Sequence, residues 1–395
     1  MSDNYSKVVL KSGKERSLNN FHPWLFSGAI KQIDGLVKEG DIVEIYSNHN
    51  EYMATGHFHE GSIKVRIFSF EKINPDYNFW KGKLQKAYAI RTQLGYTNNP
   101  KTNVYRLIHA EGDTMPGLII DIYHDTAVLQ THTLGMHNIK KELAKALQEI
   151  YGSSLKAIYD KSAESMSKQS EVVVANGYLW GQASGNEVLE NGNRFYVNWE
   201  EGQKTGFFID QRDNRELLGK MSKDKSVLNT FAYSGGFSVY ALKGGAKLVH
   251  SVDSSKKAMD WAEKNVQLNC DKVPHEFFTL DTFDYLKHMK EEYDIIILDP
   301  PAFAKHLSAV DKATKGYQNL NYEAIKRIKP NGILFTFSCS QVIDKSLFRK
   351  VVFAAAAQSK RNVRILYQLT QPSDHPVSIY HPEGEYLKGL VLHVE

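Results

Sequence analysis

Cysteine is scarce: Cys270 and Cys339 are the only two in 395 residues. That excludes a disulfide-framed scaffold and fits a reducing compartment. A large excess of one charge is also missing, since 49 Lys and Arg face 45 Asp and Glu for a formal +4. Net charge therefore does not announce a nucleic-acid binder, although a local basic face is compatible with it. No apolar run is long enough to cross a bilayer. Uncharged stretches such as 226–242 carry Asn, Thr, Ser and a Gly pair, and read as a buried strand with its turn. The first residues lack the apolar segment of a secretory signal. Internal repeats and low-complexity tracts are absent. A soluble, cytoplasmic protein with no membrane partner and no metal is the expectation.

What remains is an ordinary globular composition, 42% hydrophobic and 24% charged, in a chain long enough for two or three domains. Three segments are expected. Residues 1–73 carry short strand signals at Lys7–Leu10, Gly40–Tyr46, Tyr52–Phe58 and Ile63–Phe68, punctuated by glycines. Residues 74–200 mix helical spacing at Phe79–Leu94 and Asn138–Tyr151 with several strands, and the Asn191-Gly192 pair marks a hairpin turn. In residues 201–395 strands and helices alternate, which predicts a parallel sheet covered by helices. Such sheets bind ligands beyond the carboxyl ends of their strands.

The chemistry belongs to those strand ends. The first strand of the third segment runs into Asn229-Thr-Phe-Ala-Tyr-Ser-Gly-Gly-Phe-Ser, where Gly235 and Gly236 permit a sharp turn and a close backbone approach. The full G-x-G-x-x-G fingerprint is missing, so a dinucleotide pyrophosphate site is poorly supported. The next strand ends on Asp253, an acid placed to accept ribose hydroxyls. Glycines and a ribose acid without a phosphate cradle favour an adenosyl ligand. The fourth strand ends in Leu298-Asp-Pro-Pro-Ala-Phe, and its two prolines stop the ladder and present Asp299 at the tip. The bland reading of that acid is a turn cap. The fifth strand leads into Phe337-Ser-Cys-Ser, which sets Cys339 on the same edge as Asp299; a nucleophilic thiol there needs a lowered pKa from its surroundings. Cys270 closes an amphipathic helix away from any strand tip and reads as structural. The polar segment 202–215 precedes the first strand and reads either as a plain entry loop into a helix at Asp210 or as a cover for the ligand, with Phe207 and Phe208 against an adenine or a base.

The combination of motifs resembles the bacterial family of 23S rRNA large-subunit (cytosine-C5) methyltransferases of the RlmI type, over essentially the full length. Besides those above, the residues that carry it are His22-Pro-Trp-Leu-Phe-Ser-Gly, Glu111-Gly-Asp-Thr-Met-Pro-Gly-Leu, Gly202-Gln-Lys-Thr-Gly-Phe-Phe-Ile-Asp-Gln-Arg and Gly316-Tyr-Gln-Asn-Leu-Asn. The resemblance implies an α/β chain with an N-terminal β-rich PUA domain that binds RNA. A central α+β domain and a C-terminal Rossmann-like class I methyltransferase domain would follow. It implies S-adenosylmethionine as cofactor, held by Lys204, Thr205, Phe207, Phe231, Tyr233, Ser234, Gly235, Gly236, Asp253, Ser254, Asp281, Thr282, Asp299 and Pro300. The 23S rRNA partner would meet Arg212, Pro301, Phe303, Lys315 and Tyr317, with Lys305 and Lys312 as further cations. Cys339 and Asp299 would be catalytic. The Gly-Tyr-x-x-Leu-Asn segment departs from the family pattern by carrying Gln318 and Asn319 in its middle places. A homodimer is compatible with the sequence, which offers no residue-level argument for one.

Rival readings keep or discard the catalysis. The same fold could methylate an exocyclic amine, but Ala302 interrupts the acid-proline-proline-aromatic pattern of that chemistry. Guanine N7 is another acceptor. A non-catalytic RNA-binding assembly factor would have no need of Asp299 and Cys339.

Overall fold

The computed structural model describes residues 5–166, 173–270, 274–304 and 306–395. These fall into two compact units. The first comprises the chain up to Val188 together with Val197–Phe207 and Ser373–Gly384; the second holds Leu189–Tyr196, Phe208–Pro372 and Glu385–Glu395. The expected first segment and all of the second but 189–196 thus share one unit.

The first unit contains two sheets. Strands β1 (Ser6–Leu10), β2 (Trp24–Phe26), β3 (Ile30–Ile33), β4 (Ile42–Tyr46), β5 (Tyr52–Phe58) and β6 (Ile63–Ser69) form a six-stranded sheet in the order β2-β6-β5-β4-β1-β3. Its inward positions include Val8, Leu10, Val43, Ile45, Ala54 and Val65, all unexposed. The second sheet has the order β11-β10-β9-β8-β7, built from β7 (Val104–His109), β8 (Leu118–Tyr123), β9 (Thr126–Thr131), β10 (Ala157–Asp160) and β11 (Gly177–Gly181). The helix Tyr77–Gln93 buries Trp80, Leu84 and Ala87 into the core of this sheet. Its start is capped by the Asp76 carboxylate, which accepts from Phe79 N at 2.9 Å.

The second unit opens with the hairpin β12 (Glu187–Glu190) and β13 (Asn193–Tyr196), apart from the first residues of β12. Its turn is Asn191-Gly192, where φ values of 51° and 78° give the left-handed pair that such a hairpin needs. The main sheet joins β14 (Ser226–Thr230), β15 (Leu248–Asp253), β16 (His275–Thr279), β17 (Ile295–Leu298), β18 (Gly332–Ser338), β19 (Val363–Leu369) and β20 (Lys388–Val394). The strand order is β16-β15-β14-β17-β18-β20-β19. The first five strands are parallel, and β17 is unexposed apart from a trace at Ile295. Such all-apolar strands follow from helices covering both faces.

The expectation of a parallel sheet needs one addition. Strand β20 runs antiparallel to β18, and β19 closes the edge antiparallel to β20. The alternation signal that marks strand–helix–strand units is silent about a final hairpin-like return. Strand order reverses between β14 and β17, because β15 and β16 lie on one side and β18 on the other. A crevice at the carboxyl ends of β14 and β17 is the place such sheets reserve for ligands.

Candidate active site

Beyond β14 the backbone folds back on itself. Phe231 and Tyr233 adopt φ of 52° and 45°, and Gly235 adopts 76°. Two non-glycine residues in the left-handed region cost about 1–3 kcal/mol each and persist only where surroundings over-determine them. The surroundings here are specific. The Tyr233 amide donates to Asp253 Oδ2 at 3.0 Å, and Asn265 Nδ2 donates to the Ser234 carbonyl at 2.8 Å. Gly235 caps the helix Gly236–Lys243, and a Cβ on it would meet Ala262 Cα at 3.1 Å. A Cβ on Gly236 would sit 3.0 Å from Arg215 Cδ. Gly235 is thus favoured by its positive φ and by packing, and Gly236 by its close approach to the Arg215 side chain.

Asp253 ends β15. Its Oδ1 accepts from Ser255 N at 2.9 Å, beside the bond from Tyr233 to Oδ2. A carboxylate has about four acceptor positions, so two stay available for the hydroxyls of a ribose. Tyr233 stands edge-on to Phe208 at 5.1 Å and to Trp261 at 5.9 Å, an aromatic lining suited to a nucleoside. Asp281 follows β16 and spends Oδ1 on Phe283 N and Asp284 N at the start of the helix Thr282–His288. Ser254 is exposed, whereas Ser234 and Thr282 are buried.

Asp299 follows β17. Gln211 Nε2 donates to its Oδ1 at 3.0 Å, and Asn214 Nδ2 donates to Gln211 Oε1 at 2.6 Å. Gln211 and Asn214 are 2% and 3% exposed, so this chain is held inside the unit. Gln211 lies in the segment 202–215, for which the sequence offers either an entry loop or a ligand cover, and it is not among the expected site residues. The signal was its position one turn before Arg215, whose guanidinium holds the segment by donating to Glu190 and to the Phe208 carbonyl at 2.9 Å.

Cys339 follows β18, the parallel neighbour of β17, and is half-buried. Its Sγ donates to the Pro300 carbonyl at 3.8 Å. The two expected catalytic residues are therefore brought to adjacent strand ends, with the Cys339 thiol on the carbonyl of the residue after Asp299. Beneath them Ser340 Oγ receives Ala304 N at 3.3 Å and meets the Tyr317 hydroxyl at 3.0 Å.

Comparisons with known proteins agree with this geometry. A family model described as S-adenosylmethionine-dependent methyltransferase matches residues 166–381, and one described as PUA-like domain matches residues 8–70. A protein of Aliivibrio fischeri (strain MJ11) named ribosomal RNA large subunit methyltransferase I is 39% identical, covering 98% of this chain and 99% of its own. The chain belongs to that methyltransferase family. A like-named protein of Aeromonas salmonicida is also 39% identical, over 98% of each chain. Among solved structures, a methyltransferase complexed with SAH matches 98% of this chain and all of its own, with a TM-score of 0.85 and 26% identity. A Streptococcus mutans protein described as a SAM-dependent methyltransferase matches with a TM-score of 0.84 and 25% identity, again over 98% and 100%. This methyltransferase uses S-adenosylmethionine, for which the donor set at the ends of β14 and β15 is chemically suited.

The other expected site residues divide by exposure. Pro301, Lys315 and Lys312 are exposed and Phe303 is half-buried, while Lys305 lies outside the described residues. Two expectations of RNA contact are corrected. Tyr317 is unexposed, its ring 4.5 Å from that of Phe303 and its hydroxyl on Ser340. Arg212 is 2% exposed, with Nε 3.8 Å from Glu190 Oε2. Both side chains hold the interior of the unit and neither is presented at its surface. Lys204, Thr205 and Phe207 belong to the first unit. There Thr205 is unexposed, donates to Asp121 Oδ2 at 2.5 Å and bonds the Tyr123 hydroxyl at 2.9 Å. Among the described residues no helix is long and apolar enough to cross a membrane.

Proposed function

We propose that this methyltransferase methylates carbon 5 of a cytosine in 23S ribosomal RNA through a transient bond from Cys339 to carbon 6. The observation that carries the reading is the Cys339 thiol on the Pro300 carbonyl, one residue past Asp299 at the switch point of the sheet. The names of the relatives supply the class of RNA.

Carbon 5 of cytosine is a poor nucleophile. Addition of the Cys339 thiolate to carbon 6 moves the ring π pair toward carbon 5 and gives it enamine character. S-adenosylmethionine supplies an electrophilic methyl group on sulfonium. With the cofactor bound, carbon 5 would take that methyl as the carbon–sulfur bond breaks and the neutral thioether leaves. The carbon 5 proton would pass to water in the crevice, and the returning pair would expel Cys339 as thiolate. Asp299, steadied by Gln211, accepts from the N4 amino group as a carboxylate, or meets N3 through a shared proton that offsets the negative charge developing there. Phe231, Tyr233, Ser234, Gly235, Gly236, Asp253, Ser254, Asp281, Thr282, Asp299 and Pro300 form the cofactor cradle. Most of the rate advantage is positional, since methyl donor and carbon 5 must lie in line. The base reaches the crevice unstacked or from a single-stranded region. Pro301, Phe303, Lys312 and Lys315 are the side chains of this unit offered to the RNA.

The test incubates the protein with methyl-labelled S-adenosylmethionine and unmodified 23S rRNA, followed by digestion and identification of the labelled nucleoside. Label on 5-methylcytidine that disappears in Cys339→Ala is the expected result. Label on an amino nitrogen or guanine N7, or full activity without Cys339, overturns the reading.

A further inference from the structure

The end of β18 is flanked by a lysine that the reaction above does not use. Lys388 opens β20 and stands opposite Ser338 in the antiparallel ladder. Its Nζ donates to the Ser340 carbonyl at 2.7 Å. One lysine therefore spans the residues on either side of Cys339. Lys388 is 4% exposed. A lysine that deeply buried normally has an anionic partner, because an isolated ammonium in the interior is costly.

The neighbouring charges point to which partner that is. Asp344 and Glu385 are exposed, and both are engaged elsewhere. Asp344 accepts from Leu347 N at 2.7 Å as a helix cap, and Glu385 pairs with Lys345 at 2.7 Å. Lys345 itself acts on Lys388 with like charge. Tyr317 is hydrogen-bonded to Ser340, and burial pushes its phenol further up, so it stays neutral. Half-buried Cys339, next to Ser340, acts on the ammonium more strongly than either carboxylate.

We propose that Lys388 is a positioning residue that pins the Cys339 segment through the Ser340 carbonyl, and that its ammonium charge favours the thiolate against the Asp299 side chain at the neighbouring strand end and the Pro300 carbonyl that accepts from the thiol. The inference rests on the reading of Cys339 as the nucleophile. The thiol proton passes to solvent, the ammonium keeps its three protons, and an ion pair remains. Burial pulls the Lys388 ammonium down to about 8, and among its electrostatic partners Cys339 is the strongest that restores it.

The test reads alkylation of Cys339 by iodoacetamide against pH, by mass spectrometry, in the full-length Cys270→Ala protein. No RNA or methyl transfer is involved, so failure here and failure of the cytosine-C5 reading are separate results. The expected midpoint lies below the ~8.5 of an ordinary thiol. Lys388→Met moves it up by at least one unit, a tenfold fall in reactivity near neutral pH, and Lys388→Arg keeps it within half a unit of the parent. A parent midpoint at or above that of an ordinary thiol overturns the proposal even if Lys388→Met fails to fold. So does an unchanged midpoint in a Lys388→Met protein with native circular dichroism.

Discussion

Removing the Gln211 side chain isolates the support under Asp299. The amide donates to Asp299 Oδ1 at 3.0 Å and accepts from Asn214 at 2.6 Å, with Gln211 only 2% exposed. A hydrogen bond to a charged group is worth about 1.5–3 kcal/mol, more than a neutral one. If that bond holds Asp299 in its working orientation, its loss lowers kcat by about 10- to 100-fold, since ~1.4 kcal/mol is tenfold in rate. Gln211→Ala also removes the shorter of two bonds from the Asn214 amide, which keeps the Thr370 carbonyl at 3.5 Å, and costs stability by about 0.5–1.5 kcal/mol. The two effects separate in a double-mutant cycle with Asp299→Asn, read by initial rates of methyl transfer to rRNA at saturating cofactor. Gln211→Ala is expected to slow the parent severely and the Asp299→Asn protein only slightly. Equal fold-losses in both backgrounds would refute the argument, because the glutamine would then act on something other than Asp299.

Two further outcomes follow from buried charge. Arg215→Met removes the two short bonds to Glu190, the pair being 3% and 0% exposed, and leaves that carboxylate Arg212 at 3.8 Å and the Tyr240 hydroxyl at 3.1 Å. It should destabilise the protein by about 1.5–3 kcal/mol in urea unfolding; a loss below ~0.5 kcal/mol would contradict it. His57, 4% exposed and stacked on Trp80 at 5.8 Å, is pushed by burial from 6.5 to about 4. The unfolded chain binds the proton first as pH falls. His57 therefore stabilises the fold above pH 6.5, and that contribution, up to about 3 kcal/mol, drains away between pH 6.5 and 4. His57→Phe should lose less stability between pH 6.5 and 4.5 than the parent, and parallel pH profiles would sink the assignment.

Much of the site was legible because strand tips announce themselves. Gly235-Gly236 after one apolar run, Asp253 after the next and Asp299-Pro300-Pro301 after a third each combine a chain-direction change with a chemical group. The strands of the second unit were readable for the same reason: short apolar runs separated by amphipathic helices leave few pairings. The closing pair β19 and β20 escaped, since no local pattern states that a strand returns antiparallel. The buried fates of Tyr317 and Arg212 escaped as well, because a tyrosine and an arginine read alike on a surface and in a hydrogen-bonded interior.

The amino-acid sequence by itself determined the class of fold, the cofactor class and the identity of the two residues at the strand tips. Local backbone chemistry and hydrophobic period act over a few residues, and those features are written at that range. Tertiary structure alone decided what stands beside them. Gln211 reaches Asp299 from 88 positions away, and Lys388 reaches the Ser340 carbonyl from 48. Such pairings depend on strand order and register, which set side chains together without leaving a mark in either segment.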